Sequence, residues 1–375
     1  MKKLWRAYLA AILIVVHALL LFAAVNGAAF VALETWESDP LTLTYGDATG
    51  DLARVYPGRS RGEIRELLRE SWERTPAFEP FLVSRERKFR GRFVNVDPQG
   101  FRLVRDQVPW PPDASRLDVF VFGGSTAFGY GVADHETIAS ALQSALRGRV
   151  PSAACYNFGS AGYYSTQERI LFEGLLLEGG VPDIAVFVDG INEFAFNQPW
   201  LTPSLRAFMA TPVKKSVATL IQNLPVTRLI EKWKARRDLA KPEHVGHYND
   251  RRYLDTNIER YLANRRLIQE VAAARGIKVL FVWQPTPLYA YDLGANAFRD
   301  FDFGFNNYSR FGYPLFEKKL RQQPLGNDFL WAAEIQRGSS EPLYVDQIHY
   351  SAALNARLAD EIARTLDVRG YLPAH

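Results

Sequence analysis

The stretch VFVFGGSTAFGYG, residues 119–131, decides how the rest of the chain is read. Its first four residues are apolar and rich in β-formers. Two glycines follow, and then Ser125, a small polar residue among bulky neighbours. A buried strand that ends this way has two readings. It is a strand-to-helix turn that needs the backbone freedom of glycine, or it presents a nucleophile at the carboxyl end of the strand. What lies elsewhere in the chain decides between them.

Outward from this stretch the pattern repeats. Apolar, strand-like runs at 118–122, 155–158, 183–189 and 278–283 alternate with helical segments at 137–148, 165–180, 258–276 and 351–366. The helix at 165 reads as opening with a capping box from Ser165 to Glu168. The last helix has Ser351 as its N-cap and Leu354, Leu358, Ile362 and Leu366 on one stripe. Near-continuous apolar strands between helices predict a parallel sheet covered on both faces. A basic, proline-broken stretch from about 195 to 254 interrupts the rhythm and reads as a helical insertion, a lid or wall over a site. Residues 34–116 read as a juxtamembrane region, with a helix at about 61–74 and a small hairpin around Asp97 and Gly100.

Bulk properties narrow the class. At 375 residues, with 47% hydrophobic and 23% charged, the chain is globular. A net charge of +4 does not argue for nucleic acid. The lone Cys155 excludes an intrachain disulfide framework and a cysteine zinc site. His244, His247 and Asp250 lie close in sequence but have no second cluster, so no metal is expected. The run KWKARR, 232–237, reads as a solvated helix face, with attraction of an anionic polymer or lipid headgroups near the anchor as the alternative.

The N-terminus carries an apolar run from Ala7 to Val25 that resumes through Ala28–Leu33. It is long enough to span a bilayer core. Lys2, Lys3 and Arg6 precede it and acidic residues follow, which by the positive-inside rule leaves the N-terminus cytoplasmic and the rest outside. The expectation is a single-pass inner-membrane anchor through about 7–33, followed by residues 34–116 and a catalytic domain at 117–375. A secreted protein with a cleaved signal peptide is the competing reading.

In an open parallel sheet, ligands bind beyond the carboxyl ends of the strands. Four polar elements fall there: GGST around Ser125, N-x-G-x-x-G at 157–162, GINE at 190–193 and D-x-x-H at 346–349. In this order and approximate spacing they resemble the SGNH (GDSL-type) hydrolases, over about 117–366. The resemblance implies a flavodoxin-like three-layer α/β/α sandwich. It implies Ser125 as nucleophile, His349 as base and Asp346 as the residue orienting it. It also implies an oxyanion hole from the N–H groups of Ser125 and Gly162 and the amide of Asn192. No cofactor is implied. Tyr163 and Gln284 are candidate pocket residues. Two positions depart from the family pattern: Gly124 stands where the familiar motif has aspartate, and Glu193 where aspartate often follows the asparagine.

The expected activity is extracytoplasmic hydrolysis of an oxygen ester through an acyl-serine, with O-acetylated carbohydrate as the substrate guess. Rival readings are an O-acyltransferase on envelope polysaccharide, a lipid esterase or thioesterase, and a non-catalytic glycan-binding scaffold. The sequence leaves the oligomeric state open.

Overall fold

The computed structural model describes residues 2–35, 52–74, 76–195, 221, 224–230 and 247–373. The chain divides into two compact units, 1–39 with 201–244, and 40–200 with 245–375. In the first, α1 (Lys2–Thr35) is a continuous helix, apolar and long enough to cross a membrane. Asn26 on it accepts a hydrogen bond from the backbone of Val226 at 3.3 Å. The KWKARR run and His244 lie outside the described residues, as does most of the insertion.

The second unit is built on a five-stranded parallel sheet. Its strands are β5 (Asp118–Gly123), β6 (Ala154–Asn157), β7 (Ile184–Asp189), β8 (Lys278–Trp283) and β9 (Phe329–Trp331). Their order is β6-β5-β7-β8-β9, the flavodoxin-like 2-1-3-4-5. The period of two sorts the strand residues by shape. Phe120, Phe122, Phe187, Phe281 and Trp283 point to one face, and Val119, Val121, Val186, Val188, Leu280 and Val282 to the other. On the aromatic face neighbouring strands stack ring on ring, Phe122 on Phe187 at 4.8 Å and Phe187 on Phe281 at 5.3 Å. That face is covered by α5 (Ser165–Leu177), α7 (Arg251–Ala274) and α8 (Tyr308–Gln322). The aliphatic face is covered by α4 (Ile138–Arg147) and α9 (Ala352–Val368). The result is the three-layer α/β/α sandwich the strand–helix rhythm predicts.

Residues 52–116 fall in this same compact unit, although the sequence reading drew a boundary at 116. Helix α2 (Arg61–Trp72) is closed by a Ser60–Glu63 capping box. Two antiparallel pairs follow, β1 (Ala77–Glu79) with β2 (Val83–Arg85) and β3 (Phe89–Arg90) with β4 (Asn95–Val96). Single-residue bridges from Val96 to Arg102, and from Arg102 to Asn157, join the second pair to the edge of the main sheet.

One cap differs from the expectation. Tyr164, not Ser165, is the N-cap of α5, so Ser165 is already helical and Glu168 is turned inward. The reason is the face on which Glu168 falls. Phe172, Leu175 and Leu176 are buried on the same side of the helix, and Glu168 continues their stripe.

Candidate active site

The sheet order places the topological switch point at β5 and β7, the strands followed by Ser125 and Asn192. The glycine pair after β5 answers the question its sequence raises. Gly123 has φ +155°, and a Cβ there would lie 2.9 Å from the carbonyl oxygen of Val188. Gly124 has an ordinary backbone, but a Cβ there would sit 2.2 Å from Nδ2 of Asn192. The first glycine makes the turn, and the second leaves room for an amide. Ser125 then opens the one-turn helix α3 (Ser125–Phe128).

His349 Nε2 is 2.8 Å from Ser125 Oγ, and His349 Nδ1 is 2.6 Å from Asp346 Oδ2. His349 and Ser125 are 224 residues apart in sequence. The loop bearing Asp346 and His349 is closed by a bridge between Tyr344 and Tyr350 and by Val345 N–H donating to the carbonyl of His349. Asp346 Oδ1 accepts from the backbone N–H groups of Ile348 at 2.9 Å and His349 at 2.8 Å. Burial pushes the Asp346 carboxyl up. The charge and hydrogen bond of His349 and the two N–H groups outweigh it, and the net shift is downward. A carboxylate fixed in this way holds a proton on Nδ1 and leaves Nε2 free to accept from the serine.

The residues expected to bind an oxyanion lie on elements tied to the turn that precedes Ser125. Asn192, in α6 (Ile191–Ala195), donates through Nδ2 to the carbonyl of Tyr163 at 2.7 Å, which fixes the amide against Gly124. Gly162 has φ +72°, a conformation that glycine adopts without strain. Among the described residues no backbone hydrogen bond engages the N–H of Ser125 or Gly162. The loop carrying Gly162 is stitched to the turn before Ser125 by Ser160 N–H donating to Gly123 O at 3.0 Å. Asn157, the first residue of that motif, clamps the same turn through Nδ2 to Ala127 O at 2.9 Å.

The glycine at 124 yields a prediction. A methyl group there meets an amide already pinned to Tyr163, so the amide must move. Gly124→Ala, and Gly124→Asp, which restores the familiar motif, are expected to lower kcat on an acetate ester about 100-fold with little change in KM, the loss typical of one oxyanion donor. Native kcat in Gly124→Asp would remove Asn192 from this role.

Several supporting residues were not legible from spacing. Arg102 is fully buried, and its guanidinium donates to the carbonyls of Phe128, Gly129 and Val132 and to Asp134 Oδ1. It thereby caps the helix that carries Ser125. Tyr130 stacks against the His349 ring at 5.5 Å, and Trp72, from the end of α2, meets that ring edge-on at 5.3 Å. Burial, then the charge of Glu86, pushes the Tyr130 hydroxyl up to about 12, so it stays neutral beside the imidazole.

Behind Asn192 lies a group of three buried carboxyls: Glu168 on α5, Asp189 at the end of β7 and Glu193 on α6. Glu193 is provided for. It accepts from Ser165 N–H at 2.6 Å and Ser165 Oγ at 3.1 Å, and pairs with Arg260 at 3.4 Å. Among the described residues no N–H or hydroxyl donor reaches either oxygen of Glu168 or Oδ1 of Asp189. Burial, then the charge of Glu193, holds the Asp189 carboxyl well above the usual carboxylate range. Burial first, then the charges of Asp189 and Glu193, holds the Glu168 carboxyl well above the usual carboxylate range.

Two expected pocket residues have other places. Tyr163 is buried in the aromatic core and its hydroxyl donates to Ser84 O, so it contributes a carbonyl to the site and not a wall. Gln284 is also buried. Its Oε1 accepts from Thr126 Oγ1 at 2.6 Å and Tyr350 OH at 2.9 Å, tying the helix of Ser125 to the loop of His349. Gln284 stands just beyond a strand, a position that does not reveal that a core partner is waiting.

No protein-family model matches the chain, and no curated protein matches it. Solved structures do. The chain is similar to a psychrotrophic esterase from Pseudoalteromonas sp., at 13% identity over 68% of this chain and 100% of that one, with a TM-score of 0.38. It is similar to a catalytic mutant of an acetylxylan esterase from Geobacillus stearothermophilus, at 13% identity, 69% and 97% coverage and a TM-score of 0.36. It is also similar to a GDSL-like lipase from Bacteroides thetaiotaomicron VPI-5482, at 14% identity, 69% and 91% coverage and a TM-score of 0.35.

Proposed function

We propose that this protein is a serine ester hydrolase of the SGNH type, anchored by α1 with its catalytic unit outside the cytoplasm, and that O-acetylated carbohydrate is its substrate. The observation that carries the reading is the continuous chain Asp346–His349–Ser125, at 2.6 and 2.8 Å. Ser125 Oγ attacks the ester carbonyl while His349 Nε2 takes its proton. The carbonyl oxygen becomes an oxyanion facing Asn192 Nδ2 and the N–H groups of Ser125 and Gly162. The carbon–oxygen bond to the alcohol then breaks, and His349 returns the proton to the departing alkoxide. Water attacks the acyl-serine with His349 again as base, releasing the acid and restoring Ser125.

The topology rests on charge: Lys2, Lys3 and Arg6 lie on the N-terminal side of an apolar helix that meets the length and hydropathy of a span. An anchored enzyme facing outward meets acylated polymers before it meets small cytosolic esters. The test is turnover of p-nitrophenyl acetate, butyrate and octanoate by the full-length protein in detergent micelles. The expected order is acetate fastest and octanoate slowest. The reverse order favours a lipid esterase, and a folded protein that turns over none of them would sink the reading.

A further inference from the structure

Trp72 is 44% exposed, yet its ring centroid lies 5.3 Å from that of His349 and 4.8 Å from that of Tyr130. Among the described residues of the catalytic unit it is the exposed tryptophan; Trp283 is buried, and Trp110 and Trp331 are half-buried. The indole packs edge-on against Tyr130 and His349 and leaves nearly half of its surface open to solvent beside the proposed base.

Its position in the chemistry is specific. His349 carries the proton to the departing alcohol, so a group packed against this imidazole lies toward the alcohol half of the ester. The acyl half is governed by the oxyanion donors, and Asn192 is fixed on Gly124 and Tyr163. An aliphatic chain laid on a half-exposed ring would keep its outer side wet. A pyranose suits it better, because one face of axial C–H groups covers the indole while the hydroxyls at its edge stay in water.

We infer that Trp72 is a specificity-determining platform that takes the apolar face of a pyranose ring, so that the ester cleaved is one borne by a sugar hydroxyl. This rests on the esterase reading above. It also gives residues 52–116 a function, since the platform comes from α2 and not from the sheet.

The test compares xylose tetra-acetate with ethyl acetate, which has the same acyl group and no ring, using the full-length protein, Trp72→Ala and Trp72→Phe. The ratio of kcat/KM for the sugar acetate over ethyl acetate should fall about tenfold in Trp72→Ala, the loss typical of truncating a tryptophan anchor. Trp72→Phe should recover most of it. An unchanged ratio, with both substrates slowed together, would mean that the indole only steadies His349, and would overturn the platform. Calorimetric binding of acetylated xylotriose in the Ser125→Ala background separates the two readings. Binding that Trp72→Ala weakens, where the protein with Ser125 intact shows no turnover, keeps the platform and loses the esterase. Turnover with binding indifferent to Trp72 does the reverse.

Discussion

Ser125→Ala is expected to lower kcat for an acetate ester by at least about 10⁴-fold, and His349→Ala to do the same, because the three residues of such a chain act as one unit. The double variant should be no slower than either single one. Asp346→Asn is the more discriminating change. It conserves shape but replaces an acceptor by an amide. The present carboxylate accepts from Ile348 N–H, His349 N–H and His349 Nδ1. An amide turned to keep its backbone bonds would present Nδ2–H to the imidazole, reverse the tautomer and place a proton on Nε2, the atom 2.8 Å from Ser125 Oγ. The expected loss is about 10⁴-fold. Stopped assays with each variant, checked for native circular dichroism, decide the matter. Residual turnover of Ser125→Ala within tenfold of native would remove Ser125 as nucleophile.

How far the sequence revealed this site depends on the kind of signal. Strands β5, β7 and β8 were legible because each is a short apolar run buried on both faces, and the polar residues that follow them mark the functional edge. Asp346 and His349 were legible because three-residue spacing in a turn before a capped helix brings them together. β9 was not seen: three residues, Phe329–Trp331, carry no periodicity. Helix α8 was hidden by Gly312 and Pro314 inside it. Arg102 and Trp72 were invisible for another reason. Their roles arise from tertiary bridges between Val96, Arg102 and Asn157, and from where the end of α2 comes to rest. Glu168 carried a local signal that pointed the wrong way, since a carboxyl three residues after a serine suits a cap as well as a buried stripe. The buried leucines and phenylalanine beyond it were the better guide.

That buried carboxyl leads to the second large effect. Glu168 holds a proton in the folded protein that it would lose in the unfolded chain above about pH 4.5, its ordinary value. A group whose pKa is raised by folding contributes its full stability below the unfolded pKa, and this is lost as pH rises toward the folded value. With one proton more bound in the native state, the slope is about −1.4 kcal/mol per pH unit. The penalty therefore grows as pH rises from 5 toward 8. Glu168→Gln removes one of the two raised carboxyls while keeping a donor toward Asp189. Urea denaturation should therefore find the two proteins similar at pH 5 and the variant more stable at pH 8. Glu193 does not share this behaviour to the same degree. Burial raises it, but Arg260 and the Ser165 donors pull it back. Asp346 acts in the opposite direction and only in acid, because its lowered pKa costs stability as pH falls below the ordinary aspartate value of 3.8. The comparison of the native protein with Glu168→Gln from pH 5 to 8 thus reads the Glu168–Asp189 pair, since Glu193 is common to both, and parallel stability curves across it would show that no proton is held there.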